Sequence, residues 1–283
     1  MKKVFIYPSA HKDIGFATTI KLADFFAESG FCVMIADKCK DVAKDKYPVS
    51  SVDGIDKSFD YIVSVGGDGT LMQIAHKAAE LDIPLIGVNL GRVGYLADVD
   101  KNDIGVLKCI VTGDYTIETR MMLDCRVIRD GKIVSHTASV LNDAVLCRGA
   151  TAKLSNIDVE CDNNPIGTYY ADGIIISTPT GSTAYSLAAG GPIIAPSVEC
   201  ICLCPICSHS LNSRPLIFSR DSVITLVNRS TRNDALYLSC DGSEAFTSSL
   251  GDRVEIRCAN HRAKFIKINE KSFLETLRQK MQN

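Results

Sequence analysis

An α/β N-terminal domain built on an open, mostly parallel sheet, followed by a β-rich, β-sandwich-like C-terminal domain, is the fold class this sequence predicts. Three observations predict it. Short apolar runs alternate with helical stripes over the first 115 or so residues. Beyond Gly113 the runs become strand-like and turn-separated, with little helical periodicity. The 283-residue length also accommodates two cores.

Val4 to Tyr7 reads as the first strand. Phe16, Ile20, Ala23 and Ala27 then recur at helical spacing up to Gly30, a candidate residue just past a helix end. Phe31 to Ile35 supplies the next strand, and strand-helix-strand implies a right-handed parallel unit. Tyr61 to Val65 continues the pattern. After a glycine loop, Leu71, Ile74, Ala75, Ala78 and Ala79 lie on one helical face, and Pro84 to Val88 is a further strand. In the second domain the strand-like runs include Cys125 to Ile128, Val140 to Leu146, Ile174 to Ser177 and Val223 to Val227, interrupted by a short helix over Ser182 to Ala189 that Gly190-Gly191-Pro192 closes. Phe273, Leu274, Leu277 and Met281 form a last helical stripe behind Ser272, a candidate N-cap.

Net charge is -2, so no basic field draws the chain to nucleic acid or an anionic membrane, and phosphate recognition must be local. Val4 to Tyr7 is too short for a signal-peptide core, and no run reaches the roughly 18 apolar residues of a membrane span, so a soluble, cytoplasmic protein is expected. Twelve cysteines in a long chain without an export signal read as reduced thiols. Cys200, Cys202 and Cys204 share one face of any strand, with Cys207 beyond. Packing is the favoured reading and a metal site the alternative, because paired CxxC arms are missing.

Chemistry concentrates in three places. Gly66-Gly67-Asp68-Gly69-Thr70 joins a strand to a helix, so backbone amides can converge on a phosphate that the absent side chains let approach. A carboxylate beside phosphate repels it unless it binds a proton or a cation, which gives Asp68 a candidate role; a tight turn with Asp68 as helix cap is the other reading. Neither GxGxxG after a strand nor GxxxxGK[ST] occurs, which argues against a Rossmann dehydrogenase and a P-loop NTPase. Residues 171–186 gather hydroxyls, small residues and a tyrosine ring before a short helix, a surface suited to a nucleoside or simply a Ser/Thr-rich helix entry. Asn142-Asp143 ends a strand-like run and offers an amide and a carboxylate, as a clamp or as a turn.

Taken in order, Gly-Gly-Asp-Gly-Thr at 66–70, Gly-Arg-Val-Gly-Tyr-Leu at 91–96, Asn142-Asp143, the Asp-Gly-Ile-Ile-Ile-Ser-Thr-Pro-Thr-Gly-Ser-Thr-Ala-Tyr-Ser run from 172 on to Pro192, the 205–215 segment and Asp241-Gly242 resemble the bacterial NAD kinase family over nearly the whole chain. The first motif is shared with lipid kinases; the 172–192 stretch singles out NAD kinases. The resemblance implies domains at 1–115 and 116–264, with a C-terminal segment, 265–283, returning to the first. It implies transfer of the γ-phosphoryl of ATP, or of polyphosphate, to the adenosine 2′-hydroxyl of NAD, with a divalent cation, Mg²⁺, accompanying ATP and no protein side chain expected as its direct ligand. Asp68 is the implied catalytic residue and Gly66, Gly67, Gly69 and Thr70 the phosphate loop. NAD contacts carried over by position are Asp68, Gly69, Asn142, Asp143, Lys153, Tyr170, Asp172, Thr183, Ala184, Tyr185, Ser186, Leu187, Ala188 and Ser243. A homodimer or homotetramer is implied, and neither nucleic acid nor membrane is an expected partner. Two positions depart from the family pattern: Asp143 stands where Glu is usual and Ser243 where Gln is frequent. Two rival readings are a diacylglycerol- or sphingosine-type lipid kinase, which would need an apolar acyl pocket, and a non-catalytic NAD-binding redox sensor using the cysteines.

Overall fold

The computed structural model describes residues 1–43, 46–91, 94–97, 99–150, 153–210, 213–230, 235–243, 246–268 and 272–282. Arg92 and Val93 of the 91–96 motif, and Leu211 and Asn212 of the 205–215 segment, lie outside the described residues. The chain forms two compact units, Met1–Thr119 with Ala263–Asn283, and Arg120–Arg262.

In the first unit the strands are β1 (Lys3–Pro8), β2 (Cys32–Ala36), β3 (Val49–Ser50), β4 (Tyr61–Gly66), β5 (Leu85–Asn89) and β6 (Val99–Asp100). They pair in parallel in the order β5-β4-β1-β2-β3, with β6 also on β5. Every residue of β4 is buried, as a central parallel strand covered on both faces requires. The helices are α1 (Ala17–Glu28), α2 (Lys40–Ala43), α3 (Asp68–Leu81) and α4 (Lys108–Thr112). From β1 the chain runs outward through β2 and β3, then returns to place β4 on the other side of β1. Strand order therefore reverses between β1 and β4, and right-handed crossovers in opposite directions put α1 and α3 on opposite faces. In such sheets the crevice outside the strand carboxyl ends at the reversal point is where ligands bind. Here that point is flanked by Ser9 and by Gly66-Gly67.

The buried face of α3 is Leu71, Ile74, Ala75, Ala78 and Ala79, with Thr70, as its periodicity predicts. The expected stripe of α1 is met in part: Ala23 is buried, and Phe16 and Ile20 pack partly buried against the core. Thr19, Leu22, Ala23 and Phe26 face the core and Ala27 is exposed. Upstream, Asp13 accepts from the Thr18 and Thr19 amides and from the Thr19 hydroxyl, and Phe16 takes a left-handed conformation, which sets the helix start at Ala17.

The second unit is antiparallel. One sheet runs β14-β13-β12-β9-β16-β17, from Leu216–Ser219, Cys200–Ile206, Gly173–Ser177, Asp143–Arg148, Leu236–Cys240 and Phe246–Ser248. Against it stand β7 (Thr116–Arg129) paired with β8 (Lys132–Val140), and β11 (Asn164–Ala171), β10 (Ser155–Cys161), β15 (Ile224–Asn228) and β18 (Arg253–Lys267) in that order; residues 116–119 of β7 and 263–267 of β18 belong to the first unit, where β18 pairs in parallel with β5 at Phe265. The β7-β8 turn is Asp130-Gly131, both at positive φ, the chemistry a two-residue hairpin needs. Leu146, Ile174, Ile176, Ile201 and Leu203 from the first sheet share one core with Leu123, Val127, Ile157, Leu226 and Ile256 from the second, which makes the unit a β-sandwich.

Two local expectations are corrected. The strand-like run from 140 to 146 is not one strand: β8 stops at Val140 and β9 begins at Asp143, so Asn142 lies between strands and Asp143 opens a strand rather than ending one. The helix expected over Ser182 to Ala189 is a 3₁₀ turn, Gly181–Thr183, then a single turn α5, Tyr185–Ala188, separated by the non-helical backbone of Ala184. The last helix, α6 (Phe273–Met281), has Ser272 as N-cap, with Glu275 completing a reciprocal capping box. Among the described residues no helix is long and apolar enough to cross a membrane.

Candidate functional site

At the reversal point of the parallel sheet crowding forces a glycine at position 66. A Cβ on Gly66 would lie 2.3 Å from Thr70 Oγ1 and 3.0 Å from Ser9 Cβ, and one on Gly67 2.7 Å from Lys12 Nζ. Gly69 is exposed with open space where a Cβ would stand. Gly67 precedes the first turn of α3, and its carbonyl accepts from Thr70 and Leu71, so the amides of Asp68 and Gly69 belong to the group that a helix leaves without intrahelical partners. An anion reaching this loop meets amides and the positive end of the helix.

Asp68, half-buried, does not cap α3. Its carboxylate reaches across to the 94–97 segment, where Oδ2 accepts from Tyr95 N at 2.7 Å and Oδ1 from the Leu96 and Ala97 amides at 3.2 Å. The approach is so close that a Cβ on Gly94 would fall 1.9 Å from Asp68 Oδ1. A carboxylate has about four acceptor positions, so three amides orient this one and leave room for a single further proton. The Asp68 charge and, more strongly, burial raise the Tyr95 phenol above its ordinary range, while Lys280 of α6 lies 4.4 Å from the Tyr95 ring centre.

In the second unit, one end of the β12-β9-β16 sheet gathers three segments. Asp241 Oδ2 accepts from Leu141 N at 2.6 Å, and Oδ1 from Asn142 N at 2.7 Å and Asp143 N at 3.1 Å; Asp241 N in turn donates to the Asp143 carbonyl. Thr178 N donates to the Asn142 carbonyl and Thr178 Oγ1 to the Leu141 carbonyl, while a Cβ on Gly181 would lie 2.0 Å from Asn142 O. Asn142, Asp143, the 178–183 turn and Asp241 with Ser243 are thereby brought together. Burial, and then the neighbouring Asp241 carboxylate, push the Asp143 carboxyl up to about 7.

At the other end of β9 and β12, Asp172 pairs with Arg148 Nε at 2.5 Å, and Arg148 N donates to the Asp172 carbonyl. Exposed Tyr170, whose carbonyl accepts from His209 N, and exposed Lys153 stand on this side, on and just before the β10-β11 hairpin. Asp172 and Asp143 are five residues apart through the pairing of β12 with β9, about 17 Å along the strands, so they do not meet directly. Tyr185 of α5 lies within electrostatic reach of both: burial, and then neighbours that include Asp172 and Asp143, raise its phenol. Tyr185, Leu187 and Ala188 are exposed, and Thr183 and Ala184 partly so. Ser186 is different. It is fully buried, its hydroxyl lying against the Cys202 and Cys204 thiols. The cysteine strand does present Cys200, Cys202 and Cys204 on one buried face, the last touching the Ala189 carbonyl, and burial pushes Cys202 up to about 11. Among the described residues no group of three His, Cys, Asp or Glu side chains is arranged to hold a metal ion.

Arg148 and Lys12 carried no sequence signal of their own, and Gly94 and Asp241 carried only their places in motifs. Their partners are distant in sequence, 24 residues for Arg148 and 98 to 100 for Asp241. Lys12 was findable in principle, since the chain leaving β1 at the reversal point borders any site there.

A parallel α/β unit whose reversal point carries an acid-bearing glycine loop, joined to an antiparallel sandwich with a polar small-residue surface, defines a two-unit phosphoryl-transfer protein acting on a nucleoside-containing acceptor. Residues 19–115 match the ATP-NAD kinase N-terminal domain and residues 141–268 the ATP-NAD kinase C-terminal domain. Similar curated proteins named NAD kinase include those of Thermoanaerobacter sp. strain X514, 39% identical over 99% of both chains, and Natranaerobius thermophilus, 35% identical over 99% of this chain and 98% of the relative. That of Heliobacterium modesticaldum is 41% identical over 80% of each. The chain belongs to the ATP-NAD kinase family. Two solved structures share the fold: yeast NADH kinase complexed with NADH (TM-score 0.88, 23% identity, covering all of this chain and 88% of that one) and an NAD kinase from Archaeoglobus fulgidus in complex with ATP (TM-score 0.72, 24% identity, 100% and 99%). These findings do not favour the lipid-kinase or redox-sensor readings.

Proposed function

We infer that this chain transfers the γ-phosphoryl group of ATP to the adenosine 2′-hydroxyl of NAD, with Asp68 orienting that hydroxyl and accepting its proton. The observation that carries the assignment to Asp68 is its carboxylate, held by the Tyr95, Leu96 and Ala97 amides at the mouth of the glycine loop with one acceptor position to spare. Phosphoryl transfer asks mainly for positioning and charge neutralisation, so the Gly66, Gly67, Gly69 and Thr70 loop supplies more of the catalysis than a strong base would. Asn142 and Asp143, with Asp172, Lys153, Tyr170, the Thr183 to Ala188 stretch and Ser243, are the proposed NAD contacts. Ser186 would serve through backbone position, because its side chain is buried. Mg²⁺ would arrive on the donor phosphates and neutralise their charge; the described residues offer no cage of three ligands for it. Inorganic polyphosphate as a second donor, a homodimeric or homotetrameric assembly and a cytoplasmic location complete the reading, which places the domain boundaries near 115 and 264.

The test is NADP formation from NAD with ATP or polyphosphate, in the wild type and in Asp68→Asn. The variant should bind NAD and lose about 10² to 10⁴ of kcat, the usual weight of a general base. Near-normal turnover would remove Asp68 from the role.

A further inference from the structure

We propose that Lys12 is a donor-binding residue for the reaction, its ammonium binding the phosphate chain of the phosphoryl donor above Gly67. This rests on the kinase reading and names a contact within the same site. Lys12 belongs to the turn that follows β1, on the far side of the reversal point from the glycine loop. Its ammonium lies over Gly67, 2.7 Å from where a Cβ on that residue would stand, with Cε 3.9 Å away.

The backbone beneath it is anchored. Ser9 N donates to the Val65 carbonyl at 2.7 Å, tying the turn to the end of β4; Lys12 N donates to Ser9 Oγ and Asp13 N to Ser9 O; and the buried Asp13 carboxylate is locked into the start of α1. Ser9 Cβ also sits 3.0 Å from a Gly66 Cβ position, so the two loops are in register.

Among the described residues no carboxylate pairs with Lys12. Asp68, the acid of the same loop, spends three acceptor positions on the 95–97 amides, and Asn89 Oδ1, 4.0 Å from the Gly67 Cβ position, accepts from Gly91 N. A lysine with three donors is thus held beside a loop whose amides favour an anion, which is the combination that grips a polyphosphate. The ligand class is a nucleoside triphosphate or inorganic polyphosphate, recognised through phosphate oxygens.

Initial rates of NADP formation, varying MgATP and NAD separately, test this in wild type, Lys12→Met and Lys12→Arg. Loss of one charge-assisted contact should raise KM for MgATP about 10- to 100-fold in Lys12→Met, leave KM for NAD within about twofold, and be largely restored in Lys12→Arg. Thermal stability should not move, since the side chain is exposed. Unchanged MgATP parameters, or a change confined to NAD, would overturn the proposal. Calorimetric titration of MgATP and of inorganic tripolyphosphate into each protein gives a readout that does not need turnover. If the wild type makes no NADP from any donor, the kinase reading fails, while loss of tripolyphosphate binding in Lys12→Met would still support the phosphate contact.

Discussion

Asp143 makes this protein's stability depend on pH in the direction opposite to most carboxylates. Its side chain is buried and stands beside the Asp241 carboxylate, so the folded protein holds its proton up to about pH 7, against an ordinary value of 3.8. Between those two values unfolding releases a proton. Stability from this group is therefore fully present below about pH 3.8 and is lost as pH rises through 7. About three pH units at about 1.4 kcal/mol each amount to about 4 kcal/mol. Asp143→Asn keeps the shape and cannot ionise. Its stability relative to the wild type should be nearly constant below pH 4 and improve by up to about 4 kcal/mol by pH 8. In a domain of this size that corresponds to roughly 8 to 16 °C in melting temperature. Thermal or urea unfolding of both proteins at half-unit steps from pH 4 to 8 measures the difference, which cancels the titration of groups that do not interact with Asp143. A variant-minus-wild-type difference that stays flat across that range would refute the reasoning.

Other perturbations have equally definite outcomes. Gly94→Ala drives a methyl group against Asp68 Oδ1 and should cut kcat about 10- to 100-fold in a folded protein, while Gly91→Ala, with nothing within 4 Å, should stay near wild type in the same assay. Asp241→Ala strips the acceptor from the amides of 141, 142 and 143 and should cost about 2 to 3 kcal/mol in chemical denaturation, with weakened NAD binding in calorimetry. Alkylation of the native protein at pH 8 followed by peptide mass spectrometry should label exposed Cys32 and Cys207 and spare Cys200, Cys202 and Cys204; rapid modification of those three would revive the sensor reading.

The amphipathic helix α3 was legible because its buried face is set by its own periodicity, and the cysteine strand because a period of two puts alternate residues on one face whatever surrounds it. The start of α1 was not legible, since Asp13 fixes it through hydrogen bonds that residue spacing does not reveal. Nor was the break at Leu141-Asn142, where a strand-like run holds a turn that Asp241 stabilises from about a hundred residues away.

Asp68 shows the division most clearly. Its glycine-flanked place between a strand and a helix is a local pattern, enough to mark a phosphate-handling loop, and the ordered motifs over the whole chain identify the NAD kinase family. What its carboxylate does is decided 27 to 29 residues further on, by the amides that fold back over it, and the cation above its loop comes from the turn after β1. Local sequence determines conformations whose energies depend on neighbouring residues. Which amide meets which carboxylate, and which acid keeps its proton at neutral pH, depends on through-space contacts and burial that only the folded chain supplies.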